Sequence, residues 1–349
     1  MSAILHGIRV VELTSNIAAP FAGEVLAQFG ADVTHIEPPQ GDDSRRMSPV
    51  IGEESAYFRV VNAGKDCVSH DLRDPEEVRQ VHDLLAHADV FVTNMRPHRL
   101  VELALDAEAL TSQFPRLITG YLTAYGDHTS EANQSGYDGV VQARTGIVSV
   151  TGESEPARAG VSILDIGSGT WLALGIVAAL YDREKTGRGS SIATSLMETG
   201  VHWSAYHLAA YQVTHEASRR HGTGHPAFAP YGIYPTANGE ILIGVGGDAV
   251  FARLTQALSM EWMLIDPRFA TNAARVANNI ALTEELTQAL ASLTQESAME
   301  KLRAHDVPAD LVQQPEDLLR DPSAQEQLGD HDFRIPALPL RINQRYPGR

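Results

Sequence analysis

In Leu164–Trp171 (LDIGSGTW) one acid, Asp165, follows a mostly apolar run, Val161–Leu164, and precedes two glycines, Gly167 and Gly169. A long apolar stretch, Trp171–Leu180, comes next. A carboxylate at the entry to a buried helix has two uses. It caps the helix by accepting N–H bonds from the first turn. Or it does chemistry, as a nucleophile held close to a substrate and partly dehydrated. Spacing alone leaves both open.

Other sources of chemistry are thin. No G-x-G-x-x-G separates the first strand from the first helix, where the loop reads TSNIAAP (Thr14–Pro20). A nicotinamide or flavin site is therefore not expected. Neither a Walker loop nor a G-x-S-x-G elbow is present. His221 and His225 stand four apart, a spacing that suits zinc on a helix. Gly222, Gly224 and Pro226 break any helix there, and no acidic third ligand follows, so no metal is expected.

The elements that must position Asp165 alternate. Ile8–Glu12, Asp32–Glu37, Asp89–Asn94, Leu117–Tyr121 and Ser190–Ser195 read as strands. Pro20–Phe29, ending at Gly30, and the amphipathic Pro75–Ala88 read as helices. Trp171–Arg183 is apolar nearly all round and predicts a buried helix, and Met197–Val213 a further one. This alternation predicts a parallel sheet in an α/β fold. From Ser218 the texture changes to a Gly-, Pro- and His-rich loop, then a hairpin about Ala237–Gly239, then a mostly helical pattern from Ala249 to about Gln327. The expected division is a large domain over 1–221, to which 326–349 return, and a smaller α+β domain over 222–325. The Pro-rich tail is expected to lie across the surface.

At 349 residues the chain has room for both. A net charge of −17 without a basic block argues against nucleic acid. A single cysteine, Cys67, excludes an intrachain disulfide and a cysteine metal cluster. The opening MSAILHGIRVVEL carries no signal-peptide pattern. WLALGIVAAL is about half of the roughly 20 residues a bilayer span needs. A soluble, cytoplasmic protein with no membrane partner is the expectation.

Eight segments taken in order carry a resemblance: Leu13–Arg45, Asn62–Arg73 (NAGKDCVSHDLR), Asp89–Pro97 (DVFVTNMRP), Gly136–Gly146 (GYDGVVQARTG), Leu164–Gly189, Gly222–Gly239, Asp266–Asn278 and Val307–Val312. Together they resemble the class III coenzyme A transferases, the formyl-CoA, carnitine and bile-acid CoA-transferases, with α-methylacyl-CoA racemases as relatives. The resemblance implies a Rossmann-like large domain, a smaller second domain and an interlocked homodimer. It implies acyl-CoA and a carboxylic acid as substrates, with no tightly bound cofactor.

The resemblance also assigns residues. Asp165 falls on the catalytic acid of the D-x-G-x-G pattern, which forms an aspartyl-CoA thioester. Its neighbouring glycines would admit substrate, and helix-start N–H groups would steady an oxyanion. Tyr137 stands where the racemases carry their histidine base. A phenol, with a usual pKa of about 10, is a poor base at neutral pH but a good hydrogen-bond donor. Tyr137 therefore favours a transferase over a racemase or epimerase. Asp138 reads as its structural neighbour. The CoA cradle is expected from Asn16, Ile17, Ala18, Arg45, Lys65, Arg73, Asn94, Met95 and Arg96. Gly222, Gly224 and His225 correspond to the glycine-rich loop that closes on substrate.

Some positions depart from the pattern. Ile17 replaces a glutamine of formyl-CoA transferase, which points to a larger or less polar acyl group. Ala19 replaces a glycine, Glu102 a basic residue, and a G-x-H-T tail is missing. The departures keep a third reading open, a non-catalytic acyl-CoA-binding protein on the same fold.

Overall fold

The computed structural model describes residues 3–52, 54–329 and 333–347. The chain forms two units. The first takes the chain up to Ile147, Arg158–Glu216 and the segment from Ser323 onward. The second takes Val148–Ala157 and Ala217–Pro322. The segment 148–157, read from sequence as part of the large domain, joins the second unit. One tie within that unit is the Gly222 N–H, which donates to the Gly152 carbonyl at 3.0 Å.

Six strands build the sheet of the first unit: β1 (Arg9–Leu13), β2 (Asp32–Glu37), β3 (Asp66–Ser69), β4 (Val90–Thr93), β5 (Ile118–Thr123) and β6 (Ser191–Ser195). Every pairing is parallel, in the order β3-β2-β1-β4-β5-β6. Alternate residues face opposite sides, as a pleated strand requires. Val10, Val90, Val92 and Ile118 join one core, whereas Val11, Leu13, Phe91 and Tyr121 join the other. The first core is closed by helices α1 (Ala18–Gln28) and α3 (Ile163–Thr186), with α2 (Asp138–Arg144) leading toward the latter. The Rossmann-like α/β class expected from sequence is the class observed.

Strand order reverses at β1, which pairs with β2 on one side and β4 on the other. Side chains stitch the loops leaving these two strands. Thr93 Oγ1 donates to the Leu13 carbonyl at 2.7 Å. Asn94 accepts from Ser15 N–H at 3.0 Å and donates to its carbonyl at 2.8 Å. A crevice at the carboxyl ends of the strands is the result, the place where open α/β sheets bind ligands.

Helix α3 is longer than its apolar run suggests. It ends at Gly187, which adopts φ +71°. At 24 residues, with mean hydropathy 1.7 in its most apolar window, it is long and apolar enough to cross a membrane, and half of that window is buried. Burial is not all round, contrary to the sequence expectation: Trp171, Leu174 and Tyr181 are exposed. The expected helix over Met197–Val213 is two, α4 (Leu196–Trp203) and α5 (Ala205–Thr214), separated at Ser204. They too expose Trp203, Tyr206 and Tyr211.

The second unit pairs Tyr231–Pro235, Glu240–Gly244 and Ala309–Leu311 in an antiparallel sheet. Its core gathers Phe251, Leu254, Leu286 and Leu302. Arg275 is wholly buried there, donating to the Ala229 carbonyl (2.7 Å), the Phe269 carbonyl (3.0 Å) and the Asp248 carboxylate (2.7 Å).

The glycines after Asp165 serve packing. A Cβ on Gly169 would lie 2.4 Å from the Ala18 carbonyl oxygen, and one on Gly167 would lie 2.2 Å from the Trp203 ring. They let α3 approach α1 and α4, rather than admitting substrate as the sequence suggested. Gly169→Ala should destabilise the protein by about 1–3 kcal/mol, because the overlap is with backbone and outweighs alanine's helix preference. Chemical denaturation checks this; a variant as stable as the parent would show that α1 and α3 separate at no cost.

Candidate active site

Asp165 stands in the first turn of α3, half-buried. The start of that helix is capped from outside. Asp138, the first residue of α2, is nearly fully buried. Its Oδ2 accepts from the Leu164 N–H at 2.7 Å and the Asp165 N–H at 3.3 Å. Its Oδ1 accepts from the Gln142 side-chain amide. Gln142 in turn accepts from the Ala159 N–H at 2.9 Å. The Ile163 and Ile166 N–H groups bond the Val161 and Ser162 carbonyls. Every N–H of the first turn is therefore engaged, and none is left to receive an oxyanion as the sequence reading suggested.

Two influences act on the Asp165 carboxyl. Burial comes first and the Asp138 charge second, and together they push it from 3.8 up to about 7. A helix N-terminus ordinarily does the reverse for an acid in its first turn. Here the amides are spent on Asp138.

Asp165 opens on a cleft of about 320 Å³ at the crevice between β1 and β4. Loops from four strands line it: Ser15–Ala18 after β1, Asn94 and Arg96 after β4, Thr123 and Ala124 at the end of β5, and Leu196 after β6. Gln134, Ser135 and Tyr137 add to the wall, with Met47 and Ala132 among its other residues. Tyr137 is 71% exposed, which removes it from the core. Arg96 donates to Ser135 Oγ at 2.6 Å.

A second cleft of about 560 Å³ shares Ser15, Asn94 and Arg96 with the first. Arg73, Met95 and Arg99 also line it, with Pro38 and Pro39. Arg73 is 82% exposed and, among the described residues, paired only with Asp71, at 2.7 Å, so a stronger anion can recruit it at little cost. Cations and a thioether around a groove suit a phosphorylated, partly apolar ligand.

The structure thus gathers Asp165, Tyr137, Asn16, Ile17, Ala18, Asn94, Met95, Arg96 and Arg73 around two adjoining clefts. Arg45 and Lys65, expected at a phosphate, line neither. Arg45 is gripped by Glu37 at 2.7 and 2.5 Å and by Glu54 at 2.8 Å, and stacks on Phe58. Lys65 is fully buried against Glu12. Gly222, Gly224 and His225 belong to the second unit. There His225 stacks on Phe228 with ring centroids 4.9 Å apart and accepts from the Ala227 N–H at 3.1 Å. Among the described residues no group of three His, Cys, Asp or Glu side chains is arranged to hold a metal. Sequence reasoning missed Arg99 and Ser135 and left Asp138 without a role. Arg99's place, one turn after Arg96 on the helix Pro97–Glu102, was the available signal.

Comparison with known proteins decides the family. The profile of CoA-transferase family III matches residues 5–344. The chain belongs to this family. The succinate–glutarate CoA-transferase of Agrobacterium fabrum is 34% identical over 331 residues, covering 92% of this chain and 83% of that protein. The acetyl-CoA:oxalate CoA-transferase of Acetobacter aceti is 34% identical over 288 residues, covering 81% and 74%. Among solved structures, a CAIB/BAIF family protein from Brucella suis superposes with a TM-score of 0.88 at 32% identity, over 98% of this chain and 93% of that one. The resemblance read from the eight segments is borne out, and the protein is a family III CoA-transferase.

The raised Asp165 carboxyl in this transferase has a consequence for stability. The unfolded chain releases that proton near pH 3.8 and the folded chain at about 7. Folding therefore gains from Asp165 fully below pH ~4, and the gain is lost as pH rises through 7. Asp165→Asn, which never ionises, should be more stable than the parent at pH 8 by about 1–2 kcal/mol, after discounting for partial solvent contact. The difference should vanish below pH ~4. Thermal melts at both pH values check this; an equal difference at both would mean that the proton is not involved.

Proposed function

We propose that the protein moves coenzyme A from an acyl-CoA to a carboxylic acid through a thioester on Asp165. The observation that carries this reading is the Asp165 carboxyl, half-buried in the 320 Å³ cleft and pushed up to about 7. A carboxylate that holds its proton that tightly is a stronger nucleophile once ionised, and half of it is ionised near neutrality.

The steps balance without outside reagents. An Asp165 oxygen attacks the thioester carbonyl, the C–S bond breaks, and CoA thiolate leaves behind a mixed anhydride. The thiolate attacks the aspartyl carbonyl, forming the Asp165–CoA thioester and releasing the donor acid as carboxylate. The acceptor carboxylate then attacks that thioester, and the thiolate returns to the acceptor's acyl group, regenerating Asp165. No proton or electron is consumed. The cleft limits hydrolysis of both activated acyl groups.

In this reading Tyr137 donates a hydrogen bond to the substrate carboxylate or anhydride. Asn16, Ile17 and Ala18 form the wall beside the reacting carbons. The CoA phosphates meet Arg73 and Arg96 in the larger cleft, with Asn94 and Met95 at its edge. Short dicarboxylic acids are the acceptors to test first, because the named relatives act on succinate, glutarate and oxalate. The exposed apolar residues of α3, α4 and α5 support a homodimer, since a patch of this kind marks an interaction surface.

Brief incubation with an acyl-CoA panel in deuterated water, followed by intact-protein mass, tests the route. The expected result is a CoA-sized, hydroxylamine-labile adduct on Asp165, with turnover falling by about 10³-fold or more in Asp165→Ala. Deuterium at the α-carbon without an adduct would mean an epimerase. CoA binding with neither signal would mean a binding protein.

The pH profile gives an independent check. kcat/KM should rise with pH through about 7 and level off as Asp165 ionises. Asp138→Asn keeps a carbonyl acceptor for the helix amides but removes the like charge, so the midpoint should move to lower pH. A midpoint that stays in place would assign the titration to another group.

A further inference from the structure

The clefts leave a buried charged cluster beneath helix α1 unused. Glu12, next to last in β1, and Lys65, just before β3, both have fully buried side chains. Glu12 Oε1 accepts from Lys65 Nζ at 2.7 Å and from His35 Nδ1 at 2.7 Å. The parallel register sets His35 opposite Glu12. Lys65 Nζ also donates to the Pro20 carbonyl at 2.7 Å and to Asn62 Oδ1 at 3.0 Å. An ammonium has three protons, and all three are committed.

Stability alone is a poor reason for such a pair. Removing two charges from water costs several kcal/mol each, and apolar replacements of similar volume are often as stable or more so. What distinguishes this pair is where it holds the chain. Glu12 lies at the exit of β1, and Pro20 lies in the first turn of α1. The loop between β1 and α1 supplies Ser15, Asn16 and Ile17 to the wall of the cleft around Asp165. One ammonium therefore grips the chain on both sides of the loop. The end of that loop also meets the Asp165 helix, where the Ala18 carbonyl abuts Gly169. Glu12 Oε2 in turn lies under Gly23 of α1, where a Cβ would come within 1.7 Å. Helix α1 is thus seated directly on the ion pair.

We propose that Lys65 is a positioning residue for CoA transfer. By holding Glu12 and the Pro20 carbonyl together it fixes the span of the loop and sets the Ser15–Ala18 wall against Asp165. The proposal rests on Asp165 as the nucleophile.

The double variant Glu12→Gln/Lys65→Met tests it by removing both charges of the pair together, leaving the neighbouring buried Glu24 with its Gln28 partner. Its melting temperature, kcat and KM are measured with the donor and acceptor the parent turns over, and amide exchange is followed over residues 13–21. The expected result is a melting temperature near the parent's, KM within about threefold, and kcat lower by about 10- to 100-fold, as a misplacement on the order of 1 Å would produce. Exchange should quicken over residues 13–21 and stay unchanged in helix Ile163–Thr186. A folded double variant with the parent's kcat would overturn the proposal.

Should the double variant not fold, Asn62→Ala decides. It removes one of Lys65's three acceptors and keeps the charge pair. A fall in kcat at constant KM, with faster local exchange, is expected, and an unchanged kcat overturns the proposal. Failure of the nucleophile reading is separate: the parent would then acquire no CoA on Asp165, whereas the role of Lys65 is read from kcat and exchange.

Discussion

The site depends on how one carboxylate treats another. Asp138 accepts the first-turn amides of the helix that carries Asp165. Those amides, left free, would stabilise a negative charge in the first turn, by up to ~2 kcal/mol where partly buried. Engaged elsewhere, they no longer do so, and Asp138 adds its own charge nearby. The same contact that starts the helix therefore holds Asp165 in its less favourable state. Charge-assisted bonds of this type contribute about 1.5–3 kcal/mol each, which offsets the strain they create at the neighbouring acid. Helix formation and the raised proton affinity of Asp165 come from one interaction.

That interaction works only if the helix arrives at the right end of the sheet. The order β3-β2-β1-β4-β5-β6 opens a crevice at the exits of β1 and β4. Thr93 and Asn94 bind the two exit loops together, so the crevice has a fixed floor. Helix α3 reaches it because glycines at 167 and 169 allow contact with α4 and α1 closer than any side chain permits. Local chemistry and global topology thus meet at one short segment, 164–169.

Much of this was legible in sequence. Strands β1, β2, β4 and β5 carry β-branched runs in the sheet interior, and these four and the edge strand β6 each lie within about two residues of the bounds expected from sequence. Strand β3 was missed. It is a short edge strand, three of its four residues are exposed, and its sequence DCVS lacks any alternation to read. Asp165 and Tyr137 are singled out as a pair only through the family pattern, since spacing does not separate a cap from a nucleophile. The structure gives the capping role to Asp138, which accepts N–H groups 26 and 27 residues further along the chain. No local signal encodes a bond of that separation.

The two misread cations show the same limit from the electrostatic side. Arg45 and Lys65 sit in loop sequences beside glycine and aspartate, the usual setting of a solvated charge. Whether a cation faces ligand or protein depends on which acids the fold brings to it. Parallel pairing set Glu12 against His35, and the chain before β3 then passed beneath α1, so Lys65 found three acceptors before it could meet any phosphate. Glu37 and Glu54 did the same to Arg45. On a chain with 44 acids and 27 bases, most cations are claimed in this way. Those left weakly held at a cleft, the exposed Arg73 with Asp71 and Arg96 with a serine hydroxyl as their side-chain partners among the described residues, are the ones an anionic ligand can recruit, because their existing contacts are inexpensive to exchange.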